Sequence, residues 1–286
     1  MAALAYYALS QPAQTLTQFH FHLKYLFFAL LLIPLNVGLR AYKWQQFVKP
    51  LEPTATYDQS LRSYLGAIPL SLVTPGKLGE FSRCLYFPQK ALHKLEAAGL
   101  VMLDNWTDFL AVVIWSGLGF YALAGFKGLL GMLLFFVFFY PIAFWLGLAH
   151  RLVQRLPSLW GLGRLLKTAL PKPMHIPQAL CLQTLGIGLL AYAIEWTQFL
   201  LLLHSISEVT VSSVVLVGLI AIVTLGGSIQ ITFAGLGVRE GLAAYFLNSY
   251  GVTPTMSIAA AFLLLVGNLL LPALIGLAFK PAVATQ

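Results

Sequence analysis

The sequence predicts an all-α polytopic membrane protein with about six transmembrane helices plus two re-entrant or broken helical hairpins in an internal repeat. Three observations carry that prediction. Of the 286 residues, 59% are hydrophobic and only 9% are charged, against roughly half and a quarter in soluble domains, so few charges are present to solvate a globule. The stretches Gly128 to His150, Val209 to Val238 and Gly241 to Phe279 contain no Asp, Glu, Lys or Arg, and each is longer than the ~20 residues a helix needs to cross a bilayer. A closed barrel, the other spanning solution, needs polar and apolar residues to alternate in segments of about ten, and these runs do not alternate.

In chain order, the candidate spans are Tyr25 to Leu39, Ala98 to Leu123, Leu129 to Leu148, Ala179 to Leu203, Val211 to Ser228 and Ser257 to Ala278. The first is short and bounded by Lys24 and Arg40, so it is expected to extend back toward Thr17 while Lys24 reaches the interface. Lys24 is the first positive charge, which leaves no basic flank for a cleaved signal peptide, so this span is expected to stay as an anchor. Hydrophobicity continues from Tyr25 to Phe279. Residues 1–286 therefore read as a single integral membrane domain with no separate water-soluble unit.

Charge placement orients the chain. Arg40, Lys43, Lys49, Arg62, Lys77, Arg83, Lys90 and Lys94 fall in one connection, and Arg151, Arg155, Arg164, Lys167 and Lys172 in another. Both are expected on the cytoplasmic side, which predicts a multi-pass protein of the cell inner membrane. The formal net charge of +8 is then mostly cytoplasmic, and anionic lipid headgroups are its nearer partner. Nucleic acid is disfavoured, because the charges flank apolar helices and form no separate folded module.

Two stretches read neither as loops nor as ordinary spans. Ser60 to Arg83 is an apolar segment expected to break at Pro69 and at Pro75-Gly76, then close on Gly79-Glu80 and Arg83. Gly226 to Gly241 is apolar, turns at Gly235 and Gly237, and presents Arg239-Glu240. Irregular backbone cannot face lipid, so an interrupted segment at membrane depth must line a protein cavity. A pair of such segments in the two halves of a chain points to a repeat around a central site. The glycines permit tight turns and close approach of backbone to a ligand, and a following helix offers unpaired N–H groups and a positive dipole end, which suits a phosphate.

The segments TPGKLGEFSR and FAGLGVREG, with the Arg40-x-x-Lys43-Trp44 end of the first span, resemble the lysylphosphatidylglycerol synthase transmembrane-region family over nearly the whole chain. By that resemblance Pro75, Gly76, Gly79, Glu80 and Arg83 fill the first motif, and Gly235, Gly237 and Glu240 the second. The sequence departs from the family pattern at Asn105 and Asn268, where members commonly carry arginine. Members look like the flippase half of aminoacyl-phosphatidylglycerol synthases, or occur alone as flippase-like proteins. No counterpart of the soluble aminoacyltransferase domain of the bifunctional synthases is expected within residues 1–286. The resemblance thus implies a flippase that moves an anionic or aminoacylated phospholipid, or a polyprenyl-phosphate-linked lipid, rather than making one. A second copy of the chain or a separate synthase would be its protein partners.

The candidate site combines both readings. Lys77, Arg83 and Arg239, with Gly76, Gly79, Gly235 and Gly237, are expected to bind a lipid headgroup, while Glu80 and Glu240 hold the arginines until a headgroup replaces them. Charges inside spans each cost about 2.5–3.5 kcal/mol at a helix centre, so they persist when paired or functional. Asp104 and Asp108 lie four apart on one helix face, placed either to pair with Lys90, Lys94 or Arg83 or to line the cavity opposite the arginines. Glu195, far in sequence from any other charge, is expected to bind a cation or proton or to clamp Arg83 or Arg239. No cofactor or metal is expected: the histidines lack ligand spacing, Cys84 and Cys181 lack partners, and no Walker loop, nucleophile elbow or His-Glu-x-x-His occurs. The alternatives are a membrane-embedded transferase on lipid-linked sugars, using Asp104, Asp108 or Glu195 as base or metal ligand, and a non-catalytic membrane subunit.

Overall fold

A computed structural model describes residues 22–87, 98–121, 124–128, 130, 177–207, 212, 216, 218–220, 223–224 and 237–279. Among these residues every regular element is helical: α1 (Leu23–Val48), α2 (Tyr57–Val73), a 3-10 helix (Pro75–Tyr86), α3 (Ala98–Tyr121), α4 (Gln178–Ile206), α5 (Val238–Asn248) and α6 (Pro254–Gly276). Four of them, α1, α3, α4 and α6, are long and apolar enough to cross a membrane. Of about six spans expected, four are found among the described residues. Leu129 to Leu148 lies almost wholly outside them, and only isolated positions of Val211 to Ser228 lie within.

The largest departure from expectation is the end of α1. Arg40 does not bound the first span, because the helix runs on to Val48. Trp44, Phe47 and Val48 continue the three- and four-residue spacing from Arg40 and are fully buried, so the added turns pack against protein instead of forming a loop. At 1.5 Å per residue the 26 residues of α1 extend about 39 Å, beyond the ~30 Å of a hydrocarbon core. Arg40 and Lys43 are consequently helix residues packed inside the protein, not charges of a connecting loop.

The first broken segment forms a hairpin, but with its break at one proline only. Thr56 and Gln59 cap α2 reciprocally, with N–H to side-chain oxygen distances of 3.3 and 3.0 Å. Pro69 lies inside α2 and does not end it. Its missing N–H leaves the Leu65 carbonyl without the usual helical donor, and α6 approaches there so closely that a Cβ on Gly276 would lie 2.1 Å from that oxygen. The chain breaks at Thr74, whose extended backbone (φ −99°, ψ 137°) is what a residue before proline adopts. Thr74 fastens the turn: its hydroxyl donates to Leu70 O at 2.8 Å and accepts from Gly79 N at 2.6 Å. The 3-10 helix then folds back on α2. A Cβ on Gly79 would sit 2.1 Å from the Leu70 carbonyl carbon, so only glycine allows this approach.

Of the second broken segment, Gly237 to Gly241 is described. Gly237 has φ 90° and opens α5, a conformation that favours glycine. Helix α6 contains a π turn at Val266–Leu270, with Leu271 N bonded to Val266 O. Pro272 supplies the reason, since it lacks the N–H that would otherwise bond Asn268 O. One apolar core joins α1, α3, α4, α5 and α6 around Trp196, Phe199, Leu203, Leu247 and Leu264. A second packs Trp44, Phe47 and Val48 against Leu100 and Val101 of α3, and a third joins α2 to α6 through Leu65, Ile68 and Ala273. The space among these cores holds the polar residues.

Candidate functional site

Seven ion pairs join eight side chains into one chain of alternating sign. Arg239 (α5) meets Glu195 (α4) at 3.8 Å, and Glu195 meets Arg40 (α1) at 2.9 Å. Arg40 meets Asp108 (α3) at 3.4 Å, and Asp108 meets Lys43 (α1) at 2.5 Å. Lys43 meets Asp104 (α3) at 3.0 Å, Asp104 meets Arg83 (3-10 helix) at 2.5 Å, and Arg83 meets Glu80 (3-10 helix) at 3.2 Å. The series begins in the second glycine motif and ends in the first. Each interior member has an opposite charge on both sides, and the ends have one each.

Helix geometry sets this order. Asp104 and Asp108 at i, i+4 and Arg40 and Lys43 at i, i+3 each occupy one face of an α-helix. Glu80 and Arg83 at i, i+3 eclipse because a 3-10 helix has three residues per turn. Burial then makes the pairing obligatory: Lys43 is 1% exposed, Asp104 3%, Arg83 4% and Glu195 6%. Breaking a buried pair by removing one partner costs about 3–5 kcal/mol, because the remaining charge is stranded.

Neutral groups complete the coordination. Arg40 donates from Nε to Asn36 Oδ1 at 3.2 Å and lies over the Tyr192 ring at 4.7 Å. Lys43 Nζ also donates to the Asp104 carbonyl at 3.0 Å. The Arg83 guanidinium sits 5.0 Å from the Tyr64 ring centre and 5.4 Å from that of Trp44. Trp44 Nε1 donates to Ser63 Oγ at 3.1 Å, and Ser63 donates to the Arg83 carbonyl at 2.9 Å. Burial works against the Arg83 charge, but Glu80 and Asp104 outweigh it and hold the guanidinium above its ordinary range. Burial also pushes the Tyr64 phenol up to about 12, so it stays a neutral donor.

A cavity of about 130 Å³ opens where the two ends of the charge chain converge. Arg239 and Glu80, the end members, both line it, as do Arg40, Arg83, Asp108 and Glu195. Asn36, Tyr64, Tyr192 and Asn268 add polar wall, and Ile68, Leu265 and Leu269 add apolar wall. Asn268 is held by its amide, which donates to Gln198 Oε1 at 2.8 Å, and its own Oδ1 has no hydrogen-bond partner among the described residues. A comparable engineered cavity of about 150 Å³ accepts benzene, so this volume suits a small molecule or a fragment of a larger one.

The structure brings six of the sequence-derived candidates into the charge chain: Glu80, Arg83, Asp104, Asp108, Glu195 and Arg239. Gly76 lies in the first turn of the 3-10 helix, and Gly79 and Gly237 shape the two motifs. Glu240 departs from its expected role of holding an arginine. Its Oε2 accepts from Gly237 N at 2.7 Å, capping α5, and no ion pair joins it to Arg239 among the described residues. The Lys77 side chain, Gly235, Lys90 and Lys94 lie outside the described residues. Sequence reasoning missed Arg40 and Lys43 as the cations at the middle of the chain; their continuation of the Trp44–Val48 helical spacing was the available signal. Among the described residues no cluster of three or more His, Cys, Asp or Glu is placed to hold a metal ion.

Residues 1–276 match the family described as the lysylphosphatidylglycerol synthase TM region. No curated protein matches the sequence. The match covers every element of the charge chain and both glycine motifs, so this multi-pass membrane protein belongs to the lysylphosphatidylglycerol synthase transmembrane-region family.

Proposed function

We propose that the protein is a lipid translocase of the cytoplasmic membrane that receives the phosphate of an anionic, aminoacylated or polyprenyl-phosphate-linked headgroup in the cavity and passes it between leaflets. The observation that carries this reading is the position of Arg239. It is the terminal cation of the charge chain, its one ion-pair contact among the described residues is 3.8 Å long, and its side chain is 25% exposed at the cavity wall. An arginine held this loosely can turn its fork of donors to a phosphate. Arg83 is also at the cavity, but Asp104 and Glu80 commit it to the hairpin.

Arrival of a phosphate would draw Arg239 from Glu195 and leave Glu195 to Arg40. Because neighbours share partners along the chain, that change reaches Asp108, Lys43 and the first hairpin in turn. Such a series gives a headgroup a means of biasing both glycine motifs at once, which alternating access between two halves requires. Family membership supports a membrane-lipid setting for this chemistry. The same pairing weighs against Asp104, Asp108 or Glu195 serving as base or metal ligand of a transferase, since each is already bound to cations.

The test is leaflet exchange of a headgroup-intact, fluorescent-chain phosphatidylglycerol in proteoliposomes, read by dithionite quenching. The reading predicts exchange well above protein-free vesicles. Exchange equal to that of empty vesicles for phosphatidylglycerol, an aminoacylated phosphatidylglycerol and a polyprenyl phosphate alike would sink it.

A further inference from the structure

Among the described residues, the charges that line the cavity are balanced before a ligand enters. Three cations of the charge chain line it, Arg40, Arg83 and Arg239, and so do three carboxylates, Glu80, Asp108 and Glu195. A phosphate diester adds one negative charge. In about 130 Å³ a phosphate drawn to Arg239 cannot stay remote from carboxylates on the other walls. A buried site that gains an uncompensated charge restores neutrality by moving a proton more readily than by holding the excess.

The three carboxylates are not equally placed to accept it. Asp108 meets Lys43 at 2.5 Å and Arg40 at 3.4 Å, and Glu195 meets Arg40 at 2.9 Å and Arg239 at 3.8 Å. Glu80 has a single ion-pair partner among the described residues, Arg83 at 3.2 Å, and must share it with Asp104, which stands nearer at 2.5 Å. If Glu80 becomes neutral, Arg83 keeps Asp104, and no other cation of the described chain loses a carboxylate. Glu80 is also the acid at the end of the series.

We infer that an anionic headgroup enters this site together with one proton, and that Glu80 carries the proton. The inference rests on the phosphate reading above. The proton comes from solvent reaching the cavity. It converts the Glu80 carboxylate to a carboxylic acid, whose O–H can donate to a phosphate oxygen, so the cavity's net charge is unchanged by loading. Among the described residues, the titratable and charged groups that share the cavity with Glu80 are Arg83 on its own element, Tyr64 from α2, Arg40 from α1, Asp108 from α3, Tyr192 and Glu195 from α4, and Arg239 from α5, with Asp104 paired to Arg83. The arginines stay charged and the tyrosines neutral, which leaves the carboxylates as the acceptors. The loaded form then binds one more proton than the empty form. By linkage, affinity for the headgroup rises as pH falls, by about tenfold per pH unit when one full proton is taken up on binding.

The experiment is isothermal titration of the full chain in detergent with short-chain phosphatidylglycerol at pH 7, repeated in two buffers of different ionisation enthalpy, with inorganic phosphate as a parallel ligand. The expected result is uptake of about one proton per lipid bound by the wild type. In Glu80→Gln no proton is taken up and affinity no longer varies with pH, and Glu80→Asp restores the uptake. Lipid binding by the wild type without proton uptake overturns the inference and leaves the phosphate reading intact. Uptake that persists in Glu80→Gln overturns the assignment to Glu80. Proton-linked binding of inorganic phosphate without binding of the lipid overturns the assignment to a headgroup. Absence of binding by either ligand overturns the phosphate reading and this inference with it.

Discussion

In the first glycine motif Arg83 is 4% exposed, holds Asp104 at 2.5 Å and Glu80 at 3.2 Å, and receives Ser63 on its own carbonyl. In the second motif Arg239 is a quarter exposed and reaches Glu195 at 3.8 Å, while its neighbour Glu240 caps the helix. Both motifs are written with glycine, glutamate and arginine, but the order differs. Glu80 and Arg83 are three apart on a 3-10 helix and share a face. Arg239 and Glu240 are adjacent on an α-helix and point apart. Spacing, more than composition, therefore divides the two arginines into a buried, doubly paired cation and a partly exposed, loosely paired one.

Four substitutions break or sharpen that comparison. Arg83→Ala strands Asp104 and Glu80 and is expected to cost about 3–5 kcal/mol, seen as a large fall in the thermal transition of the detergent-solubilised protein; an unchanged transition would remove the anchor role. Gly79→Ala drives a methyl group into the Leu70 carbonyl, 2.1 Å away, and should cost about 1–3 kcal/mol while increasing cleavage of the hairpin by added protease. Arg239→Ala removes a long, partly exposed pair and should change stability by less than about 1 kcal/mol, yet it should abolish headgroup binding in the calorimeter. Arg62→Ala breaks the 2.9 Å pair with Asp58, whose side chains are 57% and 64% exposed. Its effect should stay within about 0.5 kcal/mol with binding intact, which makes it the control for loss of an arginine as such.

Much of this arrangement was legible from residue spacing. The apolar runs located α1, α3, α4 and α6. Pro75 marked the turn of the first hairpin because the residue before a proline leaves the helix. The four-residue spacing of Asp104 and Asp108 put both on one face, and Glu195, expected to bind a cation or proton or to clamp Arg83 or Arg239, reaches Arg239 but lies nearer to Arg40, which was not foreseen. Other features required three dimensions. Arg40 and Lys43 looked like the edge of a loop because a hydropathy window ends at the first charge, whereas α1 is held beyond that point by Trp44, Phe47 and Val48 packing on α3. Pro69 looked like a break, yet α2 continues through it, with α6 packed closely on the Leu65 carbonyl that it leaves without its helical donor. Nothing local to Asn36 shows that it meets Arg40 at the cavity, or to Gln198 that it holds Asn268 there; that follows only from how α1, α4 and α6 pack.

The central claim is that Arg239 meets the headgroup while Arg83 holds the fold. Leaflet exchange of fluorescent phosphatidylglycerol by Arg239→Ala in proteoliposomes tests it most directly, with the variant's thermal transition measured on the same preparation. The account predicts exchange reduced by about tenfold or more, a loss of at least about 1.4 kcal/mol in the transition-state balance, alongside a near-wild-type transition. Exchange at the wild-type rate by a folded Arg239→Ala protein would contradict it.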